Sequence, residues 1–461
     1  MIREETQNQV RETGLPWIPR CPAHWSLRRM KYLVDERVEK GYPDEPLLTA
    51  SQSRGVIPKA DYGSRTVEAQ KDLHLLKLVE PGDYVISLRS FQGGIEFAHG
   101  RGIISPAYTV LEPKPDVRRG YYEHFFKSAD FINSMTLFVT GIREGQNIDY
   151  VRLSRAYMPV PPPEEQDAIG RFIRHLDQRV NRLIKAKRRL IELLNEQKQA
   201  IIHQAVTRGL DPTVPLKPSG IEWLGDVPKH WEVVRFKNRV GFQEGPGIMA
   251  ADFRDAGVPL LRISCVKTAE VTLRGCNFLD ETMVARRWNH FKVRAGDYLL
   301  SASASSGEVS MVTEVAEGSI PYTGLIRLWA RRDSTDMRFV AVYISSHPFQ
   351  GQIGAAKSGV GIEHFGPTHL KRMWIALPPK LEQEAVVNWL DQELEPITSA
   401  VQKANAEIDL IREYRTRLVA DVVTGQIDVR HLNIPDLDVS SVDGLIDNFD
   451  EELEEEVAEE E

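Results

Sequence analysis

Apolar side chains between Ile169 and Ile201 keep a steady beat. Ile169, Ile173, Leu176, Val180, Leu183, Lys187, Leu190, Leu194, Gln197 and Ile201 follow one another in alternating steps of four and three, which predicts a helix packed along a partner helix. The Pro159 to Pro163 stretch punctuates the chain before it, Glu164 and Glu165 place acidic groups where a helix N-terminus favours them, and Gly209 with Pro212 closes it. A helix over 164–207 would be about 66 Å long. The same seam returns 217 residues later at Val386, Leu390, Glu393, Ile397, Ala400, Ala404, Glu407, Ile411, Tyr414 and Leu418, closing at Thr424-Gly425. In this second helix Glu393 and Glu407 weaken the seam, and Pro396 predicts a start or a kink.

Ahead of each helix the pattern changes to short β-favouring runs. In the first block these include Asp83 to Leu88 and Tyr108 to Leu111, separated by turn signals at Gly93-Gly94, Gly100 with Gly102, and Pro113 with Pro115. Phe125, Phe126, Phe131 and Ile132 recur at helical spacing and predict short helices within 121–135.

The whole arrangement is written twice. Gly14-Leu15-Pro16-Trp17 with Pro22-Ala23-His24-Trp25 returns as Gly220-Ile221-Glu222-Trp223 with Pro228-Lys229-His230-Trp231, an offset of 206. Pro81-Gly82-Asp83-Tyr84 returns as Ala295-Gly296-Asp297-Tyr298, and Tyr108-Thr109 as Tyr322-Thr323, both offset by 214; Pro162-Pro163-Glu164-Glu165-Gln166 answers Pro379-Lys380-Leu381-Glu382-Gln383 at 217. The expected organisation is a mixed α/β domain over 14–160, a long helix over 161–208, a linker over 209–219, a second mixed domain over 220–377, and a second long helix over 378–425. The linker is too short for the second block to return to the start of the first helix. The second helix can then pair with the first only by running antiparallel, giving a coiled coil with a pseudo-two-fold repeat and a molecule that touches its target twice.

Composition narrows the field. With 42 % apolar and 27 % charged residues the chain reads as soluble and globular. Its charged N-terminus and the lack of a long apolar run predict a protein that is neither secreted nor membrane-spanning. Cys21, Cys265 and Cys276 fit no even pairing or metal spacing, so reduced thiols in the cytoplasm are expected. The net charge of −8 conceals an asymmetry, because residues 436–461 hold thirteen acidic groups and no basic one. Without them the rest carries +5, compatible with a polyanionic partner; the acidic tail is expected to be disordered.

Catalytic patterns are weak. Gly351 to Ser358 lacks the glycine that a phosphate loop needs before Lys357. Glu112-Pro113-Lys114 and Glu196-Gln197-Lys198 imitate half a nuclease site but are tripeptides common in any charged chain. His24 and His230 recur beside Trp25 and Trp231, which points to a structural role. No fingerprint of an S-adenosylmethionine site is present. Polar, glycine-containing loops do recur beside the strand ends. Candidate DNA contacts are Arg89, Ser90 and Gln92; Arg143, Gln146 and Asn147; Ser303, Ser305 and Ser306; and Lys357 with Ser358. Arginine reaches guanine edges bidentately, glutamine and asparagine reach adenine edges, and serine, lysine and backbone amides hold phosphates.

The tandem Pro-x-His-Trp openings, the Gly-Asp-hydrophobic strand, Ser87-Leu88-Arg89-Ser90-Phe91-Gln92-Gly93-Gly94, the proline and Glu-Gln entry into each long helix, and Gln204-Ala205-Val206-Thr207-Arg208-Gly209-Leu210-Asp211-Pro212 together resemble the specificity subunit of type I restriction-modification systems. The resemblance spans 14 to about 430. It implies two target-recognition domains, each reading half of a bipartite sequence in double-stranded DNA, with the paired helices fixing the spacer. It also implies no catalytic residues and no cofactor in this chain. Two modification subunits would bring S-adenosylmethionine, and restriction subunits would bring ATP, Mg and translocation. Two other readings stay open: a related system in which methylase and nuclease are fused, and a coiled-coil scaffold without DNA function. The acidic tail and Pro396 depart from the pattern.

Overall fold

A computed structural model describes residues 10–62, 72–140, 147–302, 309–357, 366–432 and 434. Its contacts divide the chain into two compact units, Met1–Arg188 with Asn405–Glu461, and Arg189–Ala404. The acidic tail at 436–461 lies outside the described residues.

The first unit is built on an antiparallel sheet of β1 (Val34–Arg37), β2 (Tyr84–Ile86), β3 (Glu96–Phe97) and β4 (Thr109–Pro113), ordered β1-β4-β2-β3. All three residues of β2 are buried, as expected of a strand covered on both faces. The turn before it needs a left-handed residue, and Gly82 supplies it with φ 102°. The sequence around 121–135 forms two helices, α1 (Arg119–Phe125) and α2 (Ala129–Met135). They bury Tyr121, Tyr122, Phe125 and Phe131 in one aromatic core. Strand Ser26–Arg29 pairs antiparallel with Tyr157–Val160, and the chain then enters α3 (Pro163–Arg208).

The second unit repeats this topology with β5 (Val240–Glu244), β6 (Tyr298–Ser301), β7 (Val309–Met311) and β8 (Leu325–Ala330), ordered β5-β8-β6-β7. Helices α4 (Met337–Ile344), α5 (His347–Lys357) and α6 (Lys380–Val423) follow. A second four-stranded sheet, of Phe253–Arg254, Asn277–Leu279, Val258–Leu261 and Ile320–Pro321, has its own small core around Leu260, Leu279 and Ile320.

Strand register corrects one detail of the repeat. Ile86 faces Thr109, whereas its counterpart Leu300 faces Ile326, so the central strand already carries the 217 offset. Tyr322-Thr323 therefore sits three residues ahead of the position that Tyr108-Thr109 occupies.

The same register exposes an exchange of charge. In the first unit the buried Asp83 accepts hydrogen bonds from Arg37 Nε at 2.8 Å and from the Glu80 amide at 2.9 Å. In the second, Asp297 accepts from Arg327 Nε at 2.6 Å and from the Arg294 amide at 2.7 Å. Arg37 lies opposite Val110, and Gln243 lies opposite Arg327. The aspartate is kept while its arginine changes strands across one cross-strand pair, whose side chains share a face. Burial raises the Asp83 carboxyl above its ordinary value, and the Arg37 hydrogen bond opposes that rise.

The long helices pair antiparallel within each unit. In the first, Asp177 takes both Nε and Nη2 of Arg415 at 2.9 and 3.1 Å, and Lys187 meets Glu407. In the second, Lys198 reaches Thr398 at 3.4 Å. The buried stripe follows the predicted seam at Ile169, Ile173 and Val180 and at Val386, Leu390, Ile397 and Ala404, and departs from it by one residue elsewhere. On α3 in the first unit Ile184 is 3 % exposed while Leu183 is 46 % exposed. On α6, Leu394 and Ile408 take the inward positions expected of Glu393 and Glu407, and Tyr414 faces outward. An α-helix turns every 3.6 residues, so a strict heptad drifts about 20° per repeat and loses the contact face after two or three. Nor does the helix begin at Pro396, because α6 runs through it from Lys380.

Two outcomes follow from these packings. Arg327→Val should destabilise by about 3 kcal/mol by leaving Asp297 unpaired, and adding Gln243→Arg should recover at least half in urea unfolding; a double variant no more stable than the single one would refute the exchange. By the same method Ile184→Ala should cost about 2–4 kcal/mol and Leu183→Ala less than about 0.5 kcal/mol, with the reverse ranking restoring the strict heptad.

Candidate nucleic-acid interface

Each mixed domain is fastened to its long helix by the Glu-Gln pair that marks the repeat. Gln166 is fully buried; its Oε1 accepts from the Arg118 amide at 2.9 Å, and its Nε2 donates to Asp116 O at 3.0 Å and Pro161 O at 2.9 Å. Gln383 does the same with the Asp336 amide at 2.8 Å, Ser334 O at 3.0 Å and Pro378 O at 2.8 Å. One residue earlier, Glu165 Oε2 lies 2.7 Å from His24 Nε2, and Glu382 Oε2 lies 2.7 Å from His230 Nε2. Glu382 also accepts from Trp231 Nε1 at 2.9 Å; Trp25 Nε1 finds no partner among the described residues. The two histidines thus join each domain's opening to its helix, the structural role expected of them.

In the first unit the loop after β2 is held from behind and open in front. Residues Ser90–Gly93 form a single helical turn. Ser90 is buried, and its hydroxyl accepts from the Ser87 amide at 2.8 Å, so it serves the loop's own shape. A Cβ on Gly93 would come within 2.6 Å of Gln52 Cγ, and one on Gly94 (φ 82°) within 2.2 Å of Phe126 O. Lys127 bolts this turn down, donating to Gly93 O at 2.7 Å, Gln52 O at 2.8 Å and the buried Glu96 carboxylate at 2.6 and 2.7 Å. Arg89 and Gln92, three residues apart on this turn, are exposed, and no carboxylate pairs with Arg89 among the described residues. The Tyr108 hydroxyl is pushed up by burial, with Tyr62 adding to that rise and the Arg89 charge opposing it.

The other predicted contacts are less defined. Arg143 and Gln146 lie outside the described residues, as do Ser303, Ser305, Ser306 and Ser358. Asn147 is paired through its backbone with Thr140. Lys357 closes α5; since Gly351 to Lys357 is helix, it wraps no phosphate. Glu112 and Lys114 form ion pairs with Arg37 at 3.3 Å and Asp35 at 3.0 Å, and Lys198 belongs to the helix pair, so neither tripeptide builds a metal site. No group of three or more potential metal ligands occurs among the described residues. No helix among them is long and apolar enough to cross a membrane.

Sequence reasoning passed over two features of the second unit. One is the run Arg286, Arg287, Lys292 and Arg294, which has no acidic residue between Glu281 and Asp297; its signal was that local charge bias. The other is an open cleft of about 440 Å³ around Arg262, Asn277 and Tyr322, whose lining comes from three separate segments and leaves no local pattern.

No family model matches the chain. It is 24 % identical over 433 residues to the type I restriction enzyme MjaVIII specificity subunit of Methanocaldococcus jannaschii, covering 90 % of this chain and 95 % of that protein. It is 21 % identical over 334 residues to the type I restriction enzyme EcoKI specificity subunit of Escherichia coli K12, covering 69 % and 68 %. Its fold matches a chain in a solved structure of a type I R-M system at a TM-score of 0.63, with 15 % identity, covering 88 % of this chain and 99 % of that one. The chain is thus similar along most of its length to specificity subunits of type I restriction enzymes. Those relatives are named as specificity subunits, and in this chain the repeated Glu-Gln and His motifs are spent on joining domain to helix.

Proposed function

We propose that each unit of this specificity subunit reads one half of a bipartite site in double-stranded DNA, while the paired helices set the unspecified gap between the halves. The observation that carries this reading is the turn at Arg89 and Gln92. A planar donor group and an amide are presented from a backbone held by the hydrogen bonds of Ser90 and Lys127, and that is what direct readout of base edges requires. Exposed apolar positions on the long helices, Leu183, Leu410 and Tyr414 in the first unit and Leu190 and Leu193 in the second, are surfaces for the partner subunits. Those partners are two modification subunits that bring S-adenosylmethionine, and restriction subunits that bring ATP and Mg, assembled in the cytoplasm. This chain supplies recognition and no cofactor. A fused methylase-nuclease partner would leave its task unchanged.

Selection from a random duplex library, with the chain co-purified with its neighbouring methylase, should return two short fixed motifs separated by a constant gap. In that assay Arg89→Ala or Gln92→Ala should cost about 1–3 kcal/mol at one base of the first half-site and nothing at the second. Sequence-independent, salt-sensitive retention by the unaltered complex would refute the reading. Removing seven matched residues from each long helix shortens the pair by about 10 Å, and the gap should contract by about three base pairs at roughly 3.4 Å each. An unchanged gap would show that the helices do not measure it.

A further inference from the structure

In the second unit one arginine is prepared for contact without a partner of opposite charge. Arg262 follows strand Val258–Leu261, and its guanidinium carbon lies 4.6 Å from the centroid of the Tyr322 ring and 5.8 Å from that of Phe253. The two rings are inclined at 76° with centroids 6.4 Å apart. Arg262 Nη1 donates to Asn277 Oδ1 at 3.0 Å. Three side chains from separate segments therefore fix the plane and the rotation of this group.

None of the three is a carboxylate, and none of the residues lining the cavity is acidic. The contrast with Arg327 in the same unit is direct, because that arginine is neutralised by Asp297. The Nε–H and Nη2 donors of Arg262 have no partner among the described residues. Ser264 and Thr323 add hydroxyls to the cavity, and the Asn277 amide nitrogen adds two more donors beside the guanidinium. The site is thus rich in donors, cationic and open, with an aromatic wall.

We propose that Arg262 reads a guanine in the half-site of the second unit, with Asn277 and Tyr322 as its positioning residues. This rests on the recognition role proposed above and deepens it by naming the base. Guanine offers O6 and N7, two acceptors in one plane along its major-groove edge, and a guanidinium held flat by rings matches that pair. A phosphate imposes no such requirement on the plane, since a mobile lysine or arginine serves it equally.

The test uses the full chain with its co-purified methylase and the random duplex library. For the unaltered complex one position of one half-site should be guanine. Arg262→Lys keeps the charge and loses the fork, and it should reduce the preference for that guanine by about 10- to 100-fold while the other half-site is unchanged. Asn277→Ala should weaken the same position by a smaller factor. Undiminished preference for every base in Arg262→Lys would overturn the proposal. So would a uniform loss across all sequences in Arg262→Ala with a shallower salt dependence, the behaviour of a phosphate contact. Should Arg262→Ala fail to fold by circular dichroism, Arg262→Lys decides alone. Failure of the unaltered complex to return any gapped motif would instead remove the recognition role, a result separable from loss at a single base.

Discussion

Everything in each unit depends on one buried amide side chain at the head of its long helix. Gln166 and Gln383 each tie the loop ahead of a short helix, the polyproline entry and the long helix itself into one set of hydrogen bonds. Each bond contributes about 1 kcal/mol net, yet each polar atom left unmade in such a site would cost about 1–3 kcal/mol. The geometry is therefore fixed more by the penalty for breaking it than by the gain from forming it. A loop on such a domain is held steady only if the domain cannot rock on the helix, and the glutamine with the neighbouring glutamate and histidine supplies that constraint in both units.

The exchange of arginine between strands shows which part of such a framework is constrained. Asp83 and Asp297 cap the same turn and demand a cation, but the demand is for charge at a point in space. Two residues on adjacent strands reach that point, so Arg37 or Arg327 satisfies it equally. The same logic separates framework from function elsewhere. Lys127 and Arg327 are neutralised by buried carboxylates and hold the fold, whereas Arg89 and Arg262 carry charge that the described residues do not compensate.

Much of this was legible in the residues. The duplication, the mixed domains and the antiparallel helix pair followed from offsets and periodicity. The inward face of the helices followed in part: Ile173, Val180, Leu390 and Ala404 lie inward as the repeat predicts, but Ile184 rather than Leu183, and Ile408 rather than Glu407, follow the 3.6-residue turn where a strict seven-residue repeat drifts away. The burial of Ser90 was not legible because a hydroxyl beside glycines suits both a surface and a buried turn, and only the bond from the Ser87 amide distinguishes them. Arg262 was invisible because Phe253, Asn277 and Tyr322 stand at no helical or strand spacing from it and meet it only through the second sheet.

The two units differ in how the chain supplies them. The second is one unbroken stretch, 189–404, whereas the first closes its core with Val419, Val422 and Val423, and the Tyr121 hydroxyl donates to Val423 O at 2.9 Å across 302 positions of sequence. On a ribosome, then, the inner unit has all its parts before the outer one has its last helix. The first domain, although made first, must wait with an uncovered apolar face until that helix arrives, and a closure over so long a loop is slow. Order of synthesis and order of completion are therefore reversed, because the unit whose first residues are made earliest is the one whose core is completed last.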